Sequence, residues 1–212
     1  MNVYKWEESN MRRTKEESEI TRERILDAAL TIFSSKGYSR TTLNDIAKEA
    51  GLTRGAVYWH FGGKAETYSV LVEERLSKAT QVLMDIFNND SSPEKKIQKL
   101  LITSMKYVEE YADYRAIMQL TLFKTEVIDE VEEMMKTKKE GTIKIISEIT
   151  NIIDKGIALG QFREDLDSKS AAISTIGLIN GMISLWLMNT NYFSISQYAE
   201  NIANQFLRGL KK

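Results

Sequence analysis

With 212 residues, one histidine and no cysteine, the chain has no means of building a disulfide framework, a thiol nucleophile or a thiolate metal cluster. Its 29 basic and 30 acidic side chains nearly cancel, which taken as an average argues against a polyanionic partner. The opening run MNVYKWEESNMRRTKEE lacks the apolar stretch of about 7–15 residues that a secretory signal needs, so a cytoplasmic protein is expected.

One proline and 11 glycines leave few turn makers, and the chain reads as all-α. Thr14 with Glu17 forms a capping box, after which Ile25, Leu26, Ala29, Ile32 and Phe33 recur at helical spacing until Gly37. That spacing predicts a helix of about six turns. Thr42 and Asp45 form a second capping box before Ile46, Ala47 and Ala50, and Gly51 ends the pattern. Thr53 then caps a third helix. Its Val57 and Phe61 share an inward face, while Arg54 and Tyr58 share the neighbouring outward one. The expected unit is a helix, a short helix, a tight turn and another short helix.

Past Gly62-Gly63 a new helix is predicted from Lys64 to about Phe87. Ser92 caps another that starts at Pro93 and buries Ile97, Leu100, Leu101, Met105 and Val108. A short segment covers Ile117 to Phe123. A helix or kinked pair then runs from Val127 to near Gly160, its first stretch, residues 126–133, carrying five acids that complement the helix dipole. From Ser170 to Ala199 there is no charged residue, and Gly177 and Gly181 sit four apart. Ser174, Thr175, Asn180 and Ser184 interrupt this stretch and no Lys/Arg cluster flanks it, so it reads as a helix buried against a second copy of the chain rather than in a membrane. A last amphipathic helix presents Tyr198, Ile202, Phe206 and Leu210.

Charge is uneven along the chain. Residues 36–64 hold five basic side chains (Lys36, Arg40, Lys48, Arg54, Lys64) against Asp45 and Glu49. A two-helix unit with a glycine turn and a basic face is the layout in which the second helix enters the DNA major groove. Arg54 can offer a bidentate fork to guanine, and Gly55 and Ala56 allow close approach to base edges. Thr42, Tyr58, His60 and Lys64 carry donors suited to phosphates. Trp59 and Phe61 offer aromatic bulk for packing beneath the unit, which leaves Tyr58 for DNA. Arg12, Arg13 and Lys15 read as a solvated tail, with a minor-groove arm as the alternative.

The run TTLNDIAKEAGLTRGAVYWHFGGKAE resembles the DNA-binding domain of the TetR/AcrR transcriptional regulators, over about 55 residues from Thr14 to Tyr68. Thr-Arg-Gly-Ala-Val-Tyr-Trp-His-Phe is similar to the AcrR-like branch that represses multidrug efflux pumps. The resemblance implies phosphate contacts from Thr42, Tyr58, His60 and Lys64 and base-edge contacts from Thr53, Arg54, Gly55 and Ala56. Leu43 and Asn44 would begin the helix that crosses the backbone, and Trp59 falls within the same DNA-binding set. The family pattern differs at Gly62-Gly63, where a stiffer polar pair is common, and at Thr67, where leucine is usual.

The resemblance further implies an arm (1–17), a helix-turn-helix domain (18–64) and a helical effector-binding and dimerisation domain (65–212). The partners would be a palindromic double-stranded operator, a second copy and a small hydrophobic or cationic effector, with no cofactor, metal or membrane. Met105, Met118, Phe123, Met134, Met135, Met182 and Trp186 are polarizable or aromatic groups that could line the effector cavity. Glu109 or Glu110 could neutralise a cationic effector. The alternatives are a DNA-binding protein with a structural or cell-division role, or a helical enzyme. A single histidine precludes the paired Glu-x-x-His motifs of a di-iron bundle, and no glycine-rich phosphate loop is present.

Overall fold

The structure, a computed structural model, describes the backbone of residues 3–123 and 129–211 and the side chains of residues 15–123 and 141–211. Nine helices and no strand occur among the described residues. They form two compact units, Met1–Glu74 and, as the second, Arg75–Leu122 with Val127–Lys212.

The first helix, α1 (Val3–Lys36), starts well before Thr14, so the predicted capping box lies inside a helix. No proline or glycine occurs before Gly37, and nothing upstream of Thr14 interrupts propagation. The expected tail of Arg12, Arg13 and Lys15 is therefore helical backbone. Both later caps form as predicted. Thr42 caps α2 (Leu43–Ala50) in a reciprocal box with Asp45, and Gly51 closes it in the left-handed region at φ 62°. Thr53 caps α3 (Arg54–Phe61) by accepting the Ala56 N–H at 3.2 Å.

The unit closes on α4 (Lys64–Asn88), whose first turns bury Tyr68 and Leu71 beside Phe33. Phe33 stacks on Tyr38, and Tyr68 meets both edge-on at 5.1 Å. These contacts make the start of α4 part of the first unit, so the compact unit passes Gly62-Gly63 and ends within the helix. Thr67, in place of the family's usual leucine, is fully buried and donates its hydroxyl to the Gly63 carbonyl at 2.5 Å, which satisfies it without an apolar partner.

In the second unit, α5 (Pro93–Glu110) has Ser92 as N-cap, Pro93 in its first turn and the five predicted residues buried. It is followed by α6 (Ala112–Phe123), longer than predicted, and by α7 (Asp129–Ala158). The side chains of residues 126–133 lie outside the described residues. Asp167 caps α8 (Ser168–Met188), and Ser194 caps α9 (Ile195–Leu210). By length and hydropathy α8 could cross a membrane, but Ala171, Ala172, Thr175, Ile179, Ile183, Trp186 and Leu187 are packed inside the protein.

The inward stripe of α9 is Ile195, Ala199, Ala203, Leu207 and Leu210. Of the predicted stripe only Leu210 is buried; Ile202 and Phe206 are half-buried and Tyr198 is exposed. The helix is apolar on two adjacent faces, and one of them fills the core of its own chain. On α8 the same holds: Ile173, Leu185 and Met188 are exposed, and a Cβ added at Gly177 or Gly181 would meet no neighbour within 4 Å.

Candidate nucleic-acid interface and body cavity

Geometry in the first unit follows from its caps. Val57 and Phe61 anchor the inner face of α3, and this turns Arg54, Gly55, Tyr58 and Trp59 outward into solvent. Tyr58 is 61% and Trp59 75% exposed, large values for aromatic side chains. The sequence reading of Trp59 as packing bulk is thus corrected: Phe61 fills the unit, together with Phe33, Tyr38 and Tyr68, while Trp59 stands on the outer surface. Thr42, Asn44 and Thr53 are also exposed, and Leu43, Ala56, His60 and Lys64 are half-buried.

Polar contacts hold these donors in place. The Asp45 carboxylate accepts the Thr42 N–H at 2.9 Å and the Thr42 hydroxyl at 2.7 Å, and pairs with Lys36 Nζ at 2.5 Å. The Lys36 contact, followed by those from Thr42, lowers the Asp45 pKa from 3.8 to about 2. Lys64 Nζ lies 4.3 Å above the Tyr38 ring and donates to the Tyr38 carbonyl at 3.3 Å, which fixes the ammonium at the α4 start.

Sequence reasoning missed the clamp beneath the reading helix. Arg22 of α1 makes a bidentate pair with Glu74 of α4, one arm at 2.9 Å, and its guanidinium carbon lies 5.5 Å over the Phe61 ring. The hydrogen bond to Glu74, against the effect of burial, raises the Arg22 pKa. One cation thereby joins α1, the last residue of α3 and α4. No local pattern signals a pair 52 residues apart.

In the second unit, α4, α5, α6, α7 and α8 line a partly open cavity of about 190 Å³. Leu76, Leu83, Leu100, Ile145, Ile179 and Ile183 give it an apolar wall, and Thr80, Ser104, Tyr114, Thr142 and Asn180 give it polar points. Of the body residues expected at such a cavity, Met118 lines it. Met105 is fully buried in the core, Met182 packs half-buried against it, and the Trp186 indole is buried and donates to the Phe193 carbonyl at 3.0 Å. Phe123 is exposed at the end of α6, and the side chains of Met134 and Met135 lie outside the described residues. Neither Glu109 nor Glu110 is in the wall. Glu109 instead accepts from Ser194 Oγ at 3.0 Å and the Ser196 N–H at 2.8 Å. Burial opposes its ionisation, but these bonds and Arg115 outweigh burial and lower its pKa.

A short helix displaying Arg54, Tyr58 and Trp59 behind a glycine turn, with a separate helical unit lining a small cavity, defines a helix-turn-helix regulator with an effector domain. Residues 25–68 match the bacterial regulatory proteins of the tetR family, and residues 92–212 match the C-terminal region of MAATS-type transcriptional repressors. The chain belongs to the tetR family. It is 32% identical over 184 residues to the HTH-type transcriptional regulator TtgR of Pseudomonas putida, covering 84% of this chain and 85% of that one. To AcrR of Shigella flexneri it is 30% identical, covering 90% and 89%. Among solved structures, NalD of Pseudomonas aeruginosa superposes with a TM-score of 0.81 at 28% identity, over 93% of this chain and 98% of that one. Family membership makes this chain a ligand-responsive, dimeric, DNA-binding transcriptional repressor.

Proposed function

We propose that the protein represses an efflux or drug-resistance operon in the cytoplasm and leaves its operator when a small effector enters the body cavity. The observation that carries the reading is the outward display of Arg54, Tyr58 and Trp59 on a helix whose other face is locked by Val57 and Phe61. Support for the pathway comes from the similar proteins: NalD is the secondary repressor of the MexAB-OprM multidrug efflux pump, and SmeT, 28% identical with a TM-score of 0.75, is the repressor of the multidrug efflux pump SmeDEF.

In this reading Arg54, Gly55, Ala56 and Thr53 meet base edges, Thr42, Tyr58, His60 and Lys64 meet phosphates, Trp59 belongs to the same DNA-facing surface, and Leu43 and Asn44 open the helix that crosses the backbone. The exposed faces of α8 and α9 pair two copies, so that two reading helices meet successive major grooves about 34–36 Å apart. Enrichment of a random duplex pool on the full-length protein, followed by footprinting of the genome, tests this. One or a few palindromic promoter sites are expected; many dispersed sites would favour a structural role, and a salt-independent association would remove DNA as the partner.

A further inference from the structure

We infer that Arg22 and Glu74 are positioning residues for base reading: together they fix the pose of α3 that its glycine joint to α4 leaves free, and so set how well the protein tells its operator from other duplexes. This deepens the reading of α3 as the helix that meets base edges and rests on it. Every residue involved lies in the first unit.

The joint comes first. Helix α3 has eight residues, too few to stand without tertiary support, and its last residue is Phe61. Gly62 and Gly63 are all that connects it to α4. Gly62 lies in the left-handed region at φ 82°, and a Cβ added there would meet no neighbour within 4 Å. A Cβ at Gly63 would meet the end of the flexible Glu66 side chain. Two residues without side chains, wedged by nothing rigid, do not by themselves set the direction of α3.

Arg22 supplies the missing constraint. Its guanidinium carbon lies 5.5 Å over the Phe61 ring, so a cation borne by α1 rests on the residue where α3 ends. The bidentate pair with Glu74 of α4 fixes the plane of that guanidinium, because a fork on a carboxylate has a defined orientation. Without Glu74 the cation has other choices. Glu19 and Glu23 on its own helix stand 3.5 and 3.8 Å from Arg22 Nη1, single contacts that would draw the side chain back along α1. Arg22 thus acts through Phe61, and Glu74 acts through Arg22. Base-edge hydrogen bonds need close distance and alignment, whereas attraction to phosphates falls off slowly. A loosened α3 therefore loses discrimination before it loses DNA.

The test uses the full-length protein, an operator duplex enriched from a random pool and a duplex of equal length with both half-sites scrambled, titrated at a temperature where melting curves show every variant folded. Arg22→Met and Glu74→Gln should each lower the ratio of operator to scrambled affinity about tenfold, while scrambled-duplex affinity stays within about twofold and its salt slope is unchanged. The double variant should lose no more than Arg22→Met alone, because the two residues act in series. Gly63→Ser, which stiffens the joint, should restore part of the ratio to Arg22→Met. A salt bridge that merely stabilises the fold would lower the melting temperature and leave the ratio native, and that result overturns the inference. So does an equal loss on both duplexes, an additive loss in the double variant, or no recovery with Gly63→Ser. If Arg22→Met does not fold, Glu74→Gln, which keeps size and shape, decides on the same ratio. A native chain that does not discriminate between the duplexes, or binds both independently of salt, defeats the reading of α3 itself, a failure visible before any variant is titrated.

Discussion

Arg54, Tyr58 and Lys64 lie within three turns of chain, yet they should fail differently when removed. Under the proposed contacts Arg54→Ala loses a fork for base edges, so it should cost about 1–3 kcal/mol on the preferred operator and flatten discrimination at one base pair. Tyr58→Phe removes only a hydroxyl and should weaken all duplexes nearly alike. Lys64→Ala should do the same and lower the log-log salt slope by about 0.9, the share of one phosphate. Because Lys64 also covers Tyr38, its variant should melt lower, which a thermal scan without DNA separates from the binding loss. Binding titrations of the three variants against matched and mismatched duplexes check these roles, and equal profiles would contradict them. Asp45 adds a pH signature. Its folded pKa, about 2, is below the ordinary 3.8, so the stability it contributes is complete above about pH 5 and is lost as pH falls from about 4 toward 2. The gap in melting temperature between the native chain and Asp45→Asn should be constant at neutral pH and close across that interval.

At the scale of elements, packing of α7 against its following turn depends on Gly156. A Cβ there would collide with the buried Phe162 ring and come within 3.2 Å of Pro93. Gly156→Ala should therefore destabilise the second unit by about 1–3 kcal/mol through overpacking, measured by denaturant unfolding. Glu109 acts across elements, since a carboxylate on α5 receives the Ser194 hydroxyl and the Ser196 N–H at the start of α9. Glu109→Ala should lose about 0.5–2 kcal/mol, the range of a helix N-cap. Hydrogen exchange should then accelerate at the first turn of α9 and not at its end.

For the whole molecule, the decisive property is pairing. The α8 and α9 faces bearing Ile173, Leu185, Met188 and Tyr198 are exposed in one chain, and the unobstructed Gly177 and Gly181 allow a second helix to approach closely. Leu185→Arg should yield a folded monomer in sedimentation, with operator affinity reduced at least a hundredfold because one head cannot hold two half-sites. A dimer that persists would place the interface elsewhere. The near-zero net charge is no obstacle to DNA binding: residues 1–64 carry 11 basic and 9 acidic groups, residues 65–212 carry 18 and 21, and the local basic stretch lies around the reading helix.

What the sequence by itself determined was local. Thr42 with Asp45, Gly51, Thr53 and Ser92-Pro93 are read within four residues of one another, because a cap satisfies backbone groups of its own first turn. Hence the helix-turn-helix unit and most helix boundaries were legible, and the family resemblance was carried by the same residues. Thr14 shows how such a signal fails: a good capping pattern does not start a helix where the preceding residues can propagate it. Only the tertiary structure decided which of two apolar faces of α9 turns inward, that Tyr38 and Tyr68 close the core around Phe33, and that Arg22 clamps Glu74. It also decided that Met118, rather than Met105 or Trp186, faces the cavity, and that Glu109 serves a helix end instead of a cation. Each of these depends on partners far away in the chain, and periodicity marks a residue as apolar or polar without saying which distant surface it will meet.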